Sequence, residues 1–306
     1  MSQAGLHADL AELIRLRGRA RELAAAHPRR SHEPRGGLRH SPFRGRGMEY
    51  AESRPYAPGD DVRHIDWRVS ARTGRVHTKL FQAERERVSG IVFDTAPSMR
   101  FGTRRCFKSV QAARLAALFA WLAHGDGDRL CAAACGSVSG LCRPAGGRRG
   151  VLPLLDALDR WQRPDRADGT AVALATALES LARLLRPGSH LLLLLDPRSV
   201  DAAALQVLGR LRAHHDLAAC LLTDPFELGL PPIARYPVSD GRERQVLALD
   251  EPELRARWHG HYATLLQRVR DDLQRSGVRA RWVRTDEDPV AALRALLRGE
   301  RQQDAA

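Results

Sequence analysis

The order of apolar and polar positions along the chain predicts strands and helices that alternate over most of its length. Short continuous apolar runs are typical of strands buried on both faces, and longer segments carry apolar residues at helical spacing. The predicted strands span residues 76–81, 88–93, 129–135, 190–195, 217–222, 245–249 and 278–283. The predicted helices span residues 6–26, 106–124, 151–161, 170–185, 202–213, 253–274 and 289–297. This alternation favours an α/β fold with a doubly wound, mostly parallel sheet flanked by helices.

Composition adds a strong asymmetry of charge to this picture. The 306 residues include 49 Lys and Arg against 36 Asp and Glu, which gives a formal net charge of +13. Residues 1–150 hold 27 basic and 14 acidic residues, so the whole excess lies in the N-terminal half. Only Lys79 and Lys108 are lysines, and this preference for arginine is typical of a GC-rich genome. The basic half is either a solvated surface or a docking face for an acidic partner.

Cysteine usage and hydropathy exclude several classes of protein. Five unevenly spaced cysteines do not form a disulfide framework, and Cys131, Cys135 and Cys142 lie in small apolar surroundings that predict buried structural thiols. The longest aliphatic run, Leu191–Leu195, is far shorter than the ~20 residues of a membrane span. Charges interrupt the apolar N-terminal stretch, so no signal peptide is predicted. We therefore expect a reduced, cytoplasmic protein without a membrane span.

Carboxylates follow three of the predicted strands, at Asp94, Asp196 and Asp224. In a doubly wound sheet the carboxyl ends of the strands form the ligand crevice. Ser98 lies four residues after Asp94, and Thr170 directly precedes a predicted helix. Oxygen ligands on separate loops at one sheet edge suit a hard cation such as Mg²⁺.

This arrangement resembles the metal-ion-dependent adhesion site of von Willebrand factor type A domains. The family pattern is Asp-x-Ser-x-Ser, then Thr, then Asp, and this chain has Ala96 at the middle serine. The resemblance implies Mg²⁺ or Mn²⁺ with one direct ligand missing. The alternative is that Asp94 and Ser98 cap a helix or pair with arginines, and Asp224 is interpreted as a turn residue. The implied ligands are Asp94, Ser98, Thr170 and Asp196.

A second motif makes the resemblance closer. The string Pro58-Gly-Asp-Asp-Val-Arg-His-Ile-Asp-Trp67 and the stretch from Phe93 to Gly102 resemble the bacterial family known as domain of unknown function 58. The resemblance covers about residues 40 to 295. It implies a von Willebrand factor A-like core with a small β-rich region ahead of it. The implied division is an N-terminal amphipathic helix and linker (1–37), a β-rich extension (38–87), the α/β domain (88–298) and a disordered tail (299–306).

The residues of this string also have a direct physical interpretation. Pro58 and Gly59 fit the centre of a type II turn, and alternating arginines and aspartates predict ion pairs that lock the loop. Tyr56 and Trp67 offer apolar faces for packing. An acid–base or metal site formed by the three aspartates is the weaker alternative. The predicted structural residues are Arg54, Tyr56, Gly59, Asp60, Asp61, Arg63, Asp66, Trp67 and Arg72.

Family resemblance and chemistry together favour a non-enzymatic adaptor or chaperone. Members resembling this chain are often encoded beside MoxR-type AAA+ ATPases, which implies an ATPase partner and a client protein. In this hypothesis the adhesion-type site grips an acidic side chain of the partner. The alternative is a nucleic-acid-binding protein using the basic N-terminal half, although helix-turn-helix, zinc-finger and RNP signatures are missing from the sequence. A metal-dependent hydrolase using Asp94 and Asp196 lacks an evident base or nucleophile.

Overall fold

The structure is a computed structural model that describes residues 3–25, 48–83, 87–163, 171–229, 232–239 and 243–299. It contains two compact units, unit 1 (residues 1–29 and 87–306) and unit 2 (residues 30–86). The helices in the described ranges are α1 (Gln3–Leu6), α2 (Leu10–Ala25), α3 (Trp67–Thr73), α4 (Lys108–Gly125), α5 (Gly147–Trp161), α6 (Leu174–Ala182), α7 (Ala202–Arg212), α8 (Pro225–Leu228), α9 (Pro252–Arg275) and α10 (Pro289–Arg298). The strands are β1 (Met48–Pro55), β2 (His77–Ala83), β3 (Val88–Thr95), β4 (Arg129–Gly136), β5 (Gly140–Ala145), β6 (His190–Leu195), β7 (Asp216–Thr223), β8 (Arg235–Ser239), β9 (Arg244–Ala248) and β10 (Arg279–Arg284).

Unit 1 is built on a six-stranded sheet in the order β10-β7-β6-β3-β4-β5. Every neighbouring pair is parallel except β4 and β5, which are antiparallel. This confirms the predicted α/β class, a doubly wound and mostly parallel sheet flanked by helices. The sequence pattern missed β5, because this edge strand is short, only half buried and carries Pro144, which an edge strand tolerates.

Both faces of the sheet are covered, so alternate residues of each strand enter different cores. Ile91 and Phe93 of β3 belong to a core formed with α2, α4, α5 and α10. Val92, between them, points to the opposite core with α6, α7 and α9. This double burial explains the continuous apolar run in β3, where an exposed face would require alternation with polar residues.

The N-terminal helix α2 is an integral part of unit 1. Leu13 and Leu23 are fully buried, and the Trp121 indole N–H donates to the Leu13 carbonyl at 3.0 Å. The Arg114 guanidinium pairs with the Glu12 carboxylate at 2.6 Å. The amphipathic stripe seen in the sequence therefore packs on α4.

The described part of unit 2 contains an antiparallel pair, β1 and β2, with a 3-10 helix and α3 in the connection between them. Gly59 has a φ of 106°, and the Asp60 N–H donates to the Ala57 carbonyl at 3.0 Å. These features define the type II turn that Pro58-Gly59 predicts. Among the helices of the described ranges, none combines the length and the apolar character required to cross a membrane.

Candidate functional site

The order of strands in unit 1 reverses between β3 and β6, which is the position where doubly wound sheets form their crevice. Asp94 lies at the end of β3, and Asp196 follows β6 directly. The Asp196 N–H donates to the Asp94 Oδ2 atom at 2.9 Å. The structure therefore brings these two predicted residues together at the switch point.

Both carboxylate oxygens of Asp94 accept hydrogen bonds from neutral donors. Oδ1 accepts from the Ala96 N–H at 2.8 Å, and Oδ2 accepts from the Ser199 hydroxyl at 2.5 Å as well as from the Asp196 N–H. Asp94 is buried, and this burial raises its pKa above the ordinary value although the hydrogen bonds act in the opposite direction. Asp94 thus joins two loops at the switch point through uncharged contacts.

Asp196 is bound by two cationic side chains. The Lys108 Nζ atom lies 2.8 Å from Oδ2, and the Arg198 Nε atom lies 3.0 Å from Oδ1. Burial alone would raise the pKa of Asp196, but Lys108 and Arg198 outweigh this effect and hold it well below its usual range. Asp196 is therefore an ionised carboxylate whose charge is neutralised inside the protein.

Glu227 completes a charge-balanced cluster beneath the loops. Its two carboxylate oxygens lie 2.7 and 2.8 Å from the Lys108 Nζ atom, and the Arg198 guanidinium lies 3.5 Å away. Lys108, Asp196 and Glu227 are all buried. Two positive and two negative side chains thus form a cluster in which three members are buried and Arg198 is partly exposed. We call it the switch-point cluster: Lys108, Asp196, Arg198 and Glu227.

Aromatic rings of unit 1 surround the switch-point cluster. The Lys108 ammonium lies 5.8 Å from the centre of the Phe101 ring, and the Arg198 guanidinium lies 5.9 Å from that of Tyr262. The centre of the Phe226 ring lies 6.1 Å from that of Phe101 and 5.5 Å from that of Trp258. Burial and the neighbouring Glu227 charge raise the pKa of Tyr262 well above its usual range. Exclusion of water strengthens the ionic contacts inside the cluster.

The local sequence explains how the carboxylates reach these positions. Asp196 and Asp224 each end a strand and precede a proline, and each caps the short helix that follows. An aspartate accepts from the first free N–H groups, while proline suits the first helical position. Asp224 forms a capping box with Glu227 and also accepts from the Thr285 hydroxyl at 2.6 Å. This agrees with the interpretation of Asp224 as a turn residue.

Of the other two residues of the predicted metal site, only Ser98 lies in the described part of the chain, and it is not part of the switch-point cluster. Ser98 lies in the 3-10 helix Pro97–Arg100, is half buried, and its hydroxyl makes no hydrogen bond to the part of the chain that the structure describes. Thr170 lies outside the described residues.

The donor set around Asp94 and Asp196 does not fit a divalent cation. Mg²⁺ requires oxygen atoms whose lone pairs are open in octahedral directions. Here both oxygens of each carboxylate already accept hydrogen bonds, and Ala96 contributes no oxygen. Within the described ranges, no three His, Cys, Asp or Glu side chains are grouped as a metal site would require.

In unit 2, the three aspartates of the long motif turn towards their own backbone. Asp60 accepts from the Ala57 N–H at 2.9 Å and pairs with Arg54 at 2.6 Å. Asp61 caps the 3-10 helix Val62–His64, and Asp66 caps α3 through the Val69 N–H at 3.1 Å. This Val69 hydrogen bond holds the pKa of Asp66 below its ordinary value. These contacts favour the structural interpretation of the motif over an acid–base site.

The expectation that Trp67 packs as an apolar anchor is wrong for this structure. Trp67 is the first residue of α3 and is 71% exposed, because the preceding Asp66 turns inward to cap the helix. Val62 is 63% exposed. The predicted pairing of Arg63 and Arg72 is also not observed: these two side chains, like those of Arg68 and Arg75, are exposed and pair with no carboxylate of the described ranges. We call this set of exposed residues the Trp67 patch: Val62, Arg63, Trp67, Arg68, Arg72 and Arg75.

Sequence reasoning missed Lys108, Arg198, Ser199 and Glu227. The rarity of lysine was a signal for Lys108, because only two of the 49 basic residues are lysines. A lysine ammonium is compact and directs three donors, whereas a guanidinium is a wide planar fork. Glu227 could be found from its position three residues after Asp224, which is the spacing of a capping box. Arg198 and Ser199 carry no comparable signal.

Sheet order, helices on both faces and carboxylates at the switch point define a doubly wound α/β domain. A family described as "Protein of unknown function DUF58" matches residues 52–269, which include both the Trp67 patch and the switch-point cluster. The chain belongs to this family.

The chain is also similar to two uncharacterized mycobacterial proteins and, more distantly, to two solved structures. Uncharacterized proteins Mb1516 of Mycobacterium bovis and Rv1480 of Mycobacterium tuberculosis are each 29% identical over 280 residues, which cover 84% of this chain and 81% of theirs. A structure of an aerotolerance-related membrane protein from Bacteroides fragilis has a TM-score of 0.43 and 14% identity, over 70% of this chain and 98% of that one. A von Willebrand factor type A structure from Catenulispora acidiphila has a TM-score of 0.33 and 16% identity, over 48% and 35%. Both scores lie below 0.5, so the fold is defined by this chain's own sheet order.

Proposed function

We propose that this protein is a non-enzymatic adaptor that docks a MoxR-type AAA+ ATPase and so contributes to the maturation of client proteins. The observation that carries the proposal is the Trp67 patch. Trp67 is 71% exposed, and four exposed arginines lie close to it in sequence, between residues 63 and 75, and pair with no carboxylate in the described ranges. Tryptophan and arginine are enriched among the residues that dominate binding energy at protein interfaces.

Charge decides what kind of partner the Trp67 patch fits. Asp60, Asp61 and Asp66 are engaged with Arg54 and with backbone N–H groups, so the patch presents an excess of positive charge to solvent. An acidic segment of the ATPase that carries an apolar side chain would pair with the arginines and cover the indole. The excess of basic residues in the N-terminal half supports the same partner chemistry.

The state of the switch-point cluster supports a non-enzymatic role for this edge of the sheet. Its carboxylates are buried, and each is neutralised by a lysine or arginine of the same chain. A general base or a nucleophile must reach its substrate within hydrogen-bond distance. We therefore do not propose that a metal ion at this edge of the sheet binds a carboxylate of the partner.

Binding of the purified ATPase from the same genome tests the proposal. We expect the wild-type protein to bind in at least one nucleotide state, measured by biolayer interferometry with ADP, ATP or a non-hydrolysable analogue. Trp67→Ala should weaken binding about 30-fold, since a dominant interface residue contributes about 2 kcal/mol. Arg72→Glu should weaken it about tenfold and reduce the dependence of the association rate on salt.

Two matched substitutions in unit 1 serve as controls. Ile233 is 70% exposed, so Ile233→Ala removes an equally exposed apolar side chain from the other unit. Arg149 is exposed at the start of α5, and Arg149→Glu changes the same amount of charge as Arg72→Glu. We expect both controls to bind like the wild type. No binding in any nucleotide state, or equal losses in the control variants, would contradict the proposal.

The same variants separate this proposal from nucleic-acid binding. If a 20-base-pair DNA duplex binds tightly at low salt, loses affinity in Trp67→Ala, and the ATPase does not bind, the patch is a nucleic-acid surface. Absence of DNA binding together with Trp67-dependent ATPase binding supports the adaptor.

A further inference from the structure

The geometry points to Lys108 as a built-in cation of the switch-point cluster, so that this site is complete without a metal ion. The inference concerns Asp196, one of the carboxylates that the resemblance assigns to a divalent cation, and it does not depend on the proposed docking function. It rests on the geometry of one ammonium group and on which oxygen atoms that group occupies.

The Lys108 ammonium uses all its donors on carboxylates. It has three N–H groups, and three carboxylate oxygens lie within hydrogen-bond distance, one from Asp196 at 2.8 Å and two from Glu227 at 2.7 and 2.8 Å. Its side chain is fully buried. A buried ammonium is stable only when opposite charge and hydrogen bonds replace its hydration, and both are provided here.

The position of Lys108 in the fold makes this arrangement possible. Lys108 is the first residue of α4, directly after Phe107, and α4 packs against both β6 and β7. The side chain therefore reaches Asp196 after β6 and Glu227 in α8 at the same time. A divalent cation also bridges carboxylates from separate loops, and Lys108 provides that bridge with a covalently attached charge.

Position 108 carries a lysine, although arginine occupies nearly all other basic positions of the chain. A guanidinium is larger and planar, and cannot direct three donors at converging oxygens from one nitrogen atom. The two lysines of the chain provide a matched pair for a test, since Lys79 is half exposed on β2.

Metal titration by calorimetry and by thermal unfolding tests this inference. With MgCl₂ or MnCl₂ up to about 10 mM, we expect no binding heat and a change of less than about 1 °C in the wild-type Tm. Ala96→Ser restores the serine of the adhesion pattern, yet it should also remain unresponsive because Lys108 still occupies the carboxylates. Binding of one Mg²⁺ by the wild type that disappears in Asp94→Asn would overturn the inference.

Removal of the ammonium should create the metal response. Lys108→Ala leaves two buried carboxylates with too little positive charge, so its Tm should fall by about 10 °C, and added Mg²⁺ or Mn²⁺ should restore several degrees. Lys108→Arg should lower the Tm, while Lys79→Arg should change it by less than about 1 °C. A folded Lys108→Ala protein without any metal response would contradict the inference. Folding of Lys108→Ala only in the presence of the metal ion supports the inference. If this variant does not fold at all, the inference is judged by the metal calorimetry of the wild type and of Ala96→Ser.

Discussion

The switch-point cluster of unit 1 and the Trp67 patch of unit 2 are both rich in charge, but they distribute that charge in opposite ways. In the cluster, Lys108 and Arg198 pair with the buried carboxylates of Asp196 and Glu227, and the four charges balance. Beside the patch, the aspartates accept hydrogen bonds from local backbone N–H groups, and the arginines of the patch remain exposed. The first arrangement connects elements within one unit, whereas the second leaves apolar and charged side chains open to solvent.

This contrast reverses the assignment that motif spacing suggests. In the sequence, the strand-end carboxylates suggest a binding site, whereas the alternating arginines and aspartates of the long motif suggest a loop held by ion pairs. The structure shows paired carboxylates in the first region and an exposed tryptophan in the second. Charged residues therefore indicate function only after their partners are known.

The largest expected effect is on stability, at the switch-point cluster. Asp196→Ala should lower the free energy of unfolding by about 3–5 kcal/mol, because Lys108 and Arg198 would lose a buried partner. Guanidinium denaturation monitored by circular dichroism measures this change. Asp60→Ala is the matched change in unit 2, where the pair with Arg54 is partly exposed, and it should cost only about 1 kcal/mol. Equal losses in the two variants would remove the distinction between the regions.

A smaller effect concerns the pH dependence contributed by Asp94. Burial raises its pKa in the folded protein above the ordinary value of 3.8, so between these two values the folded state binds more protons than the unfolded chain. The stability due to Asp94 therefore increases as the pH falls through this window and is lost as the pH rises. For this one group, the free energy of unfolding changes by at most about 1.4 kcal/mol per pH unit.

Comparison of the wild type with Asp94→Asn isolates this contribution, since asparagine does not titrate. The wild type should gain stability relative to Asp94→Asn when the pH is lowered from 7 to 4.5, as measured by denaturant unfolding at both values. A difference that stays constant or shrinks on acidification would show that burial does not control this carboxyl group.

The smallest stability effect is expected in the Trp67 patch. Trp67→Ala should change the free energy of unfolding by no more than about 0.5 kcal/mol, because most of the indole contacts solvent. Trp282 is only 8% exposed in β10, so Trp282→Ala should cost about 3–5 kcal/mol in the same denaturation experiment. A large loss in Trp67→Ala would mean that Trp67 stabilises unit 2 after all.

Much of the fold could be predicted from periodicity alone. The apolar run Leu191–Leu195 predicts a buried strand, and the long Ala- and Leu-rich segment of α4 predicts a buried helix. The structure buries both on nearly all sides. The segments that were missed have no such pattern. β5 is half exposed, and β1 and α3 lie in a stretch where turn residues and arginines obscure the periodicity.

The site was predictable only in part, for a physical reason. Asp94 and Asp196 could be placed together because carboxyl ends of parallel strands share one edge. Their partners come from elements far apart in sequence, such as Lys108 in α4 and Glu227 in α8, and no local spacing connects them. The exposure of Trp67 depends on the direction in which Asp66 caps its helix, which composition alone does not reveal.

The most direct test of the account compares one substitution from each region in the same binding assay. Ser98→Ala removes the hydroxyl of the adhesion-type pattern, and Trp67→Ala removes the exposed indole; neither should alter the fold. The account predicts that the affinity for the MoxR-type ATPase is unchanged in Ser98→Ala and falls about 30-fold in Trp67→Ala. Loss of affinity in Ser98→Ala with unchanged binding of Trp67→Ala would contradict it and would return the docking site to the carboxyl edge of the sheet.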